Sequence, residues 1–276
     1  MAKAAPKPYV IPSRPEVLIY ITDLLQAPEI DVDEVVRTLR QDVSLYSAVI
    51  ATANTPTFRG KRAISTLNEA VVRLGLKTLF TIVRLAALKN SLSKAGNLER
   101  FWDCSTEVAN LTVHFAKLSS TESEEDAFSL GMMHNCGIPL LMEAIPNYRE
   151  FLKNTDTNDL QSLLNEEKAL YGSNQFKVSA EIAKRWLLPE LVIKAILLQS
   201  LTPEQLVNTK AACESSKLLA CSLILAKDVS QMFRHYWRIE NTQQSMGNLK
   251  PLLHFVGIPE TDYIDMREDL ITLMAQ

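Results

Sequence analysis

A histidine at the end of an apolar helix, with a glycine just beyond it, is where residue type and spacing in this chain first suggest chemistry. In Gly131-Met132-Met133-His134-Asn135-Cys136-Gly137, the acids Glu124, Glu125 and Asp126 lie upstream of the run Ala127 to Met133. That order predicts a helix with negative charge in its first turn and Gly137 as its C′ residue. An aspartate directly after the histidine would make an imidazole and carboxylate doublet able to bind a divalent cation. The chain has Asn135 there. An amide keeps the shape and an acceptor oxygen, but it lacks the negative charge that does most to hold a hard cation. Other reactive signatures are missing: there is no Gly-x-Ser-x-Gly, no glycine-rich phosphate loop and no HExxH.

The elements that position this turn are bounded by composition. With 276 residues, 47% hydrophobic and 22% charged, the chain can bury one large core or two modest ones. Only eight glycines, with apolar residues recurring at three- and four-residue spacing, predict an all-α protein. A formal net charge of -3 argues against nucleic acid, which needs concentrated Lys and Arg, and the cluster Arg59, Lys61, Arg62 is too short to alter that. Met1 to Pro8 has no apolar core of the kind a signal peptide carries, and no stretch reaches a membrane span, so a cytoplasmic protein is expected. Cys104, Cys136, Cys213 and Cys221 have no CxxC spacing and are expected to be free thiols.

Along the chain, Val17 to Leu25 has helical spacing and stops at Pro28. Asp31 or Asp33 caps a helix carrying Val35, Val36 and Leu39, and Asp42 or Ser44 caps one carrying Leu45, Val49, Ile50 and Ala53. Thr66 with Glu69 predicts a capping box opening Leu67 to Leu74, with Gly75 as its stop. Lys77 to Leu92 follows as a buried helix. A polar break at Ser91 to Asn97 sets the expected boundary between domains at 1–95 and 96–276. Beyond it, helices are expected over Leu98 to Leu118, up to Met133, over Pro139 to Ile145, Asp159 to Leu170, Val178 to Trp186 and Pro189 to Leu198. Pro203 is expected to open one long helix from Glu204 to Asp228. Phe233, Tyr236 and Trp237 form an aromatic stripe read as core, and a last helix covers Thr261 to Leu273.

Several blocks together resemble the HDOD family, output-domain relatives of HD phosphohydrolases in bacterial signalling proteins, along nearly the whole chain. Ile11-Pro12-Ser13-Arg14-Pro15-Glu16-Val17 is similar to the family's opening turn. Gln41-Asp42-Val43-Ser44-Leu45 and Ala53-Asn54-Thr55 are similar to its Asp-Pro and Asn-Ser motifs, each departing by one residue. Ile64 to Leu79 is the most specific block. In the second half, Phe101 to Ser105 is similar to the segment where HD enzymes place their first metal histidine, and Cys104 stands there. Gly131 to Gly137 is similar to the His-Asp motif, with Asn135 replacing the acid. Tyr171 to Gln175 is similar to a block that often carries Asp-His, and Asn174 and Gln175 are amides. Ala226-Lys227-Asp228 is similar to the step that supplies the last carboxylate; Lys227 takes its place, with Asp228 about 100° around the helix.

The resemblance implies an all-α fold, an N-terminal bundle followed by a degenerate HD-like bundle. A mononuclear HD site would use two histidines and two aspartates, whereas this chain offers His134. An ammonium from Lys227 would repel a divalent ion by several kcal/mol even at an effective dielectric of about 20, and metal-assisted hydrolysis needs the ion. A softer zinc site from Cys104, His134 and Cys136 meets a geometric objection, since on a helix the last two diverge by about 200°. His114 lies nearly three turns from Cys104, and Asp103 is read as a solvated helix residue. The expectation is therefore a non-catalytic signalling or scaffold module with no metal or cofactor, acting through a protein partner or as a homodimer. Its vestigial pocket would comprise Cys104, His134, Asn135, Gln175, Lys227 and Asp228. The alternatives are a metal-dependent phosphohydrolase using His134 and Asp228, and a sensor in which Asn135, Gln175 and Lys227 bind a small anion or nucleotide without turnover.

Overall fold

The computed structural model describes residues 8–55, 58, 60–92, 96–119, 123–155, 159–235 and 242–275, without the side chains of 234–245. Tyr236 and Trp237 of the expected aromatic stripe, Arg59 of the basic cluster and residues 120–122 of the acidic turn lie outside the described residues. Those described form α-helices and no strand, so the protein is all-α. No helix is long and apolar enough to cross a membrane, among the described residues.

The chain divides into two compact units. The first, Pro12–Asn97, holds α1 (Glu16–Gln26), α2 (Val32–Gln41), α3 (Val43–Ala53) and α4 (Leu67–Ser91). Side-chain caps start three of these: Asp31 accepts from Glu34 N, Asp42 from Leu45 N, and Thr66 from Glu69 N. Each satisfies a backbone donor that the first turn leaves open. The expected box at Thr66 closes one residue early, because Glu69 Oε2 accepts from Ser65 N. Gly75 does interrupt the helical backbone, with φ 75° and ψ 165°, a conformation that glycine adopts freely. Helix resumes at Leu76, so α4 is two segments end to end. Asn54 explains why an amide suits the end of α3. Its Nδ2 donates to Ile50 O and Ile64 O at 2.8 and 2.7 Å, while its Oδ1 accepts from Ile64 N at 2.7 Å.

The second unit takes in Leu98–Gln276 and the lead residue Tyr9, whose hydroxyl donates to Glu181 Oε2. Its helices are α5 (Glu99–Leu118), α6 (Glu124–Met133), α7 (Gly137–Ala144), α8 (Tyr148–Asn154), α9 (Leu160–Tyr171), α10 (Gln175–Arg185), α11 (Glu190–Leu198), α12 (Pro203–Asn208), α13 (Glu214–His235), α14 (Thr242–Val256) and α15 (Glu260–Met274). Helix α5 packs along both α6 and α13, and α10 along α7 and α11. The single helix expected from Glu204 to Asp228 is instead two. Thr202 and Gln205 make a full capping box for α12, but Thr209 is extended, and Lys217 Nζ donates to Val207 O at 3.0 Å. At the break itself Thr209 Oγ1 accepts from Ala211 N at 3.2 Å, a local turn that competes with continued helix.

Among the described residues, one that is not glycine has left-handed backbone. Leu187 has φ 55° and is 55% exposed. It is the left-handed residue of a Schellman ending, since Leu188 N reaches back to Ala183 O at 3.0 Å. A β-carbon is disfavoured there, so Leu187→Gly is expected to raise stability by about 1 kcal/mol. An unchanged or lower urea midpoint would show that the exposed leucine contributes to the fold.

Candidate functional site

Two glycines bracket the turn that carries His134, and both are there for space. A Cβ on Gly131 would lie 2.3 Å from Ala109 Cα, where α6 crosses α5. A Cβ on Gly137 would lie 2.2 Å from Gln175 O and 2.9 Å from Ser179 N, where α7 meets α10. Gly137 is thus no C′ residue with left-handed backbone, as its sequence context predicts. It is the first residue of α7, its N–H donates to Ser179 Oγ at 2.8 Å, and close approach of two backbones selects glycine. Between the two, His134 closes α6 in right-handed conformation and is 3% exposed.

The tautomer of His134 follows from its partner. Nδ1 lies 2.6 Å from Gly131 O, and a carbonyl can only accept, so Nδ1 carries the proton and Nε2 keeps its lone pair. Burial, and then the charge of Lys227, lower the pKa of the ring to about 3, so it is neutral at physiological pH. The sign of the linkage is fixed by this. Between pH 6.5 and about 3 the unfolded chain binds a proton that the folded chain does not, so the contribution of His134 is whole above pH 6.5 and lost on acidification. A His134→Asn variant, whose amide can still donate to Gly131 O, is expected to flatten the fall of stability between pH 6 and 4.5 by up to about 1.4 kcal/mol per pH unit. Urea titrations with parallel pH slopes for the two proteins would show that the ring is not buried neutral.

Lys227 reaches this turn from α13. Its Nζ donates to Gln199 Oε1 at 3.1 Å and lies 5.5 Å from the centre of the Phe176 ring. Burial lowers its pKa to about 8, while Cys104, half-buried on α5, counts among the groups that act on its charge. Gln199, at the end of α11, completes the link: its Nε2 donates to His134 O at 3.3 Å and to Ile196 O at 3.2 Å. Neither Gln199 nor Phe176 belongs to a motif of the sequence. No local signal marks either: Gln199 follows a run, Leu191 to Leu198, that itself contains Lys194.

The structure separates Asp228 from this group. Its Oδ2 accepts from Tyr263 Oη at 2.7 Å and pairs with Arg267 Nη1 at 3.3 Å, so the carboxylate is held by α15. Gln175 is buried, and its main chain carries its visible roles: N–H to Glu167 Oε2 at 2.9 Å and the carbonyl against Gly137. Asn174 caps α10 through Lys177 N. Asn135 Oδ1 is buried without a hydrogen-bond partner. Cys136 is fully buried, its Sγ 3.4 Å from Met132 O and 3.7 Å from Met133 Sδ, and burial pushes its thiol pKa up. It packs as an apolar group. His114 Nε2 is likewise buried without a partner, and Asp103 is exposed.

A divalent cation is the group HD-like chains imply at this place, and His134 keeps one attribute of a ligand, an imidazole oriented by a carbonyl with Nε2 left as acceptor. The rest of the donor set does not fit. Amides stand at 135 and 175, an ammonium points in, and the Asp228 carboxylate is engaged by Arg267 and Tyr263. No three His, Cys, Asp or Glu side chains gather where they could hold a metal, among the described residues.

Comparison with known proteins agrees with the helical architecture. A crystal structure of a proposed phosphohydrolase from Shewanella amazonensis SB2B is 24% identical, with a TM-score of 0.67 over 95% of this chain and 90% of that one. A proposed signal transduction protein from Marinobacter aquaeolei VT8 is 18% identical, with a TM-score of 0.61 over 96% of this chain and 59% of that one. At such identities the likeness carries the fold alone. An uncharacterized protein of Treponema pallidum (strain Nichols) is 21% identical over 248 residues, 85% of this chain and 47% of that protein, so the chain spans about half the length of this curated relative. The family model of the HDOD domain matches residues 11–201, from the opening turn through the His134 turn to the end of α11. The chain belongs to the HDOD family.

Proposed function

We propose that this protein is a non-catalytic signal-transduction module, an output or scaffold element that works by contact with a protein partner. One observation carries the reading: of the adjacent pair on α13, Lys227 is turned toward the His134 turn and bonded to Gln199, while Asp228 is turned to Arg267 and Tyr263. A hydrolase of the HD kind needs anionic ligands around an ion to lower the pKa of water. Around the His134 turn stand a neutral imidazole, amides and a cation, and their electrostatic sign opposes an ion. The signalling description of the Marinobacter protein accords with this reading.

Elemental analysis of the purified protein is the direct test, joined to hydrolysis assays with bis(p-nitrophenyl) phosphate and nucleoside phosphates in added Mn²⁺. Substoichiometric metal and no turnover are expected. Stoichiometric manganese, iron, nickel or zinc, with turnover lost in His134→Ala, would establish a phosphohydrolase instead. A second reading, a small ligand bound without turnover, is favoured by the partnerless Oδ1 of Asn135. Thermal-shift screening against cyclic dinucleotides and nucleoside phosphates addresses it, because a ligand that prefers the folded state raises the melting point.

A further inference from the structure

The same unit shows what has taken over the tying of its helices. Gln199 is oriented without ambiguity: Nε2 faces two carbonyl acceptors, His134 O and Ile196 O, so Oε1 must face the ammonium of Lys227. The ammonium also lies over the Phe176 ring, an arrangement favourable to a desolvated cation. One charge therefore links α13 to the end of α11, to α10, and through Gln199 to the backbone of the α6–α7 turn. Rotation of α13 that would withdraw Lys227 is opposed one residue on, where Asp228 is pinned by Arg267 and Tyr263 from α15. Helix α13 begins at Glu214, past the end of the family match at residue 201, so the cation comes from a part of the chain the family model does not cover.

We propose that Lys227 is the resident cation beside the His134 turn: its ammonium holds the α6–α7 turn, α10, α11 and α13 together and keeps divalent ions out. This deepens the non-catalytic reading and rests on it. Although burial lowers the pKa of Lys227 to about 8, the amine remains mostly protonated at neutral pH. A carboxylate introduced nearby would be neutralised by the ammonium before any metal could use it.

The test compares the full chain as wild type, Asn135→Asp, and Asn135→Asp with Lys227→Asp, using Mn²⁺ alone as the probe in equilibrium dialysis and thermal shift. Wild type and Asn135→Asp are expected to retain no stoichiometric Mn²⁺, and the double variant to bind it at least about tenfold more tightly than Asn135→Asp and to melt higher in its presence. Equal uptake by Asn135→Asp and the double variant, or none by a folded double variant, would show that the lysine is not what excludes the ion. NMR of lysine ammonium protons in the wild type covers the case in which the double variant does not fold. A slowly exchanging ammonium absent from Lys227→Met and broadened in Gln199→Leu is expected, and its absence from the wild type overturns the proposal. Failure of the broader reading is a separate outcome, since it needs metal and turnover in the unsubstituted protein.

Discussion

Gly137→Ala is expected to cost about 3 kcal/mol or more of folding stability and to dislocate the His134 turn. The added Cβ would meet the Gln175 carbonyl oxygen at 2.2 Å, the Ser179 nitrogen at 2.9 Å and Val178 Cβ at 3.0 Å. The first two are backbone atoms of α10 in its opening turns, which cannot swing aside as a side chain can. Relief requires α7 and α10 to part, and that breaks the bond from Gly137 N to Ser179 Oγ. A control at Gly172, where φ is 72° but nothing lies within 4 Å of an added Cβ, separates the two uses of glycine. Gly172→Ala is expected to cost only about 1 kcal/mol, from backbone strain alone. Denaturant midpoints for the two variants decide it, and equal losses would mean that the α7–α10 contact yields more readily than its geometry implies.

Glu167 is the second sensitive position, and its variants should split sharply. The carboxylate is fully buried; it accepts from the Tyr148 hydroxyl at the start of α8 and from Gln175 N at the start of α10, tying both to α9. Glu167→Ala orphans both donors and leaves a cavity, for an expected loss of about 3 to 5 kcal/mol. Glu167→Gln should lose no more than about 1 kcal/mol, since its oxygen can accept from Gln175 N while its amide donates to the Tyr148 oxygen. Burial raises the pKa of Glu167, so in the window above the unfolded carboxyl value the folded chain holds more proton than the unfolded one. Stability of the wild type therefore falls as pH rises above the unfolded carboxyl value, and Glu167→Gln should gain relative to it over that rise. A glutamine variant as damaged as the alanine variant would contradict this account.

Much of the first unit was legible in the sequence because its determinants are local. Asp31 and Asp42 cap the helices they precede, and Gly75 breaks the helical backbone where spacing places a stop. Such signals act within one helical turn, which a single sequence displays. The resemblance located the His134 turn by the same kind of short block. What escaped was non-local. Gln199, Phe176 and Glu167 matter through partners on other helices, and nothing in their immediate neighbourhoods distinguishes them from other amides, aromatics and acids. The break between α12 and α13 is partly local, since Thr209 Oγ1 accepts from Ala211 N, but the alanines and leucines around it favour helix and mask so short a signal.

By itself the sequence determined that the protein is helical, where most helices begin, and that its histidine has an amide where a metal site would want an acid. It also put a lysine and an aspartate side by side on α13, about 100° apart around the axis, without saying which would face the histidine. That choice belonged to the tertiary structure. Tyr263 and Arg267, 35 and 39 residues further along, bind the aspartate from α15 and so fix the rotation of α13 that sends the ammonium inward. Neighbouring residues on a helix share its rotation, so a contact made by one dictates the surroundings of the other.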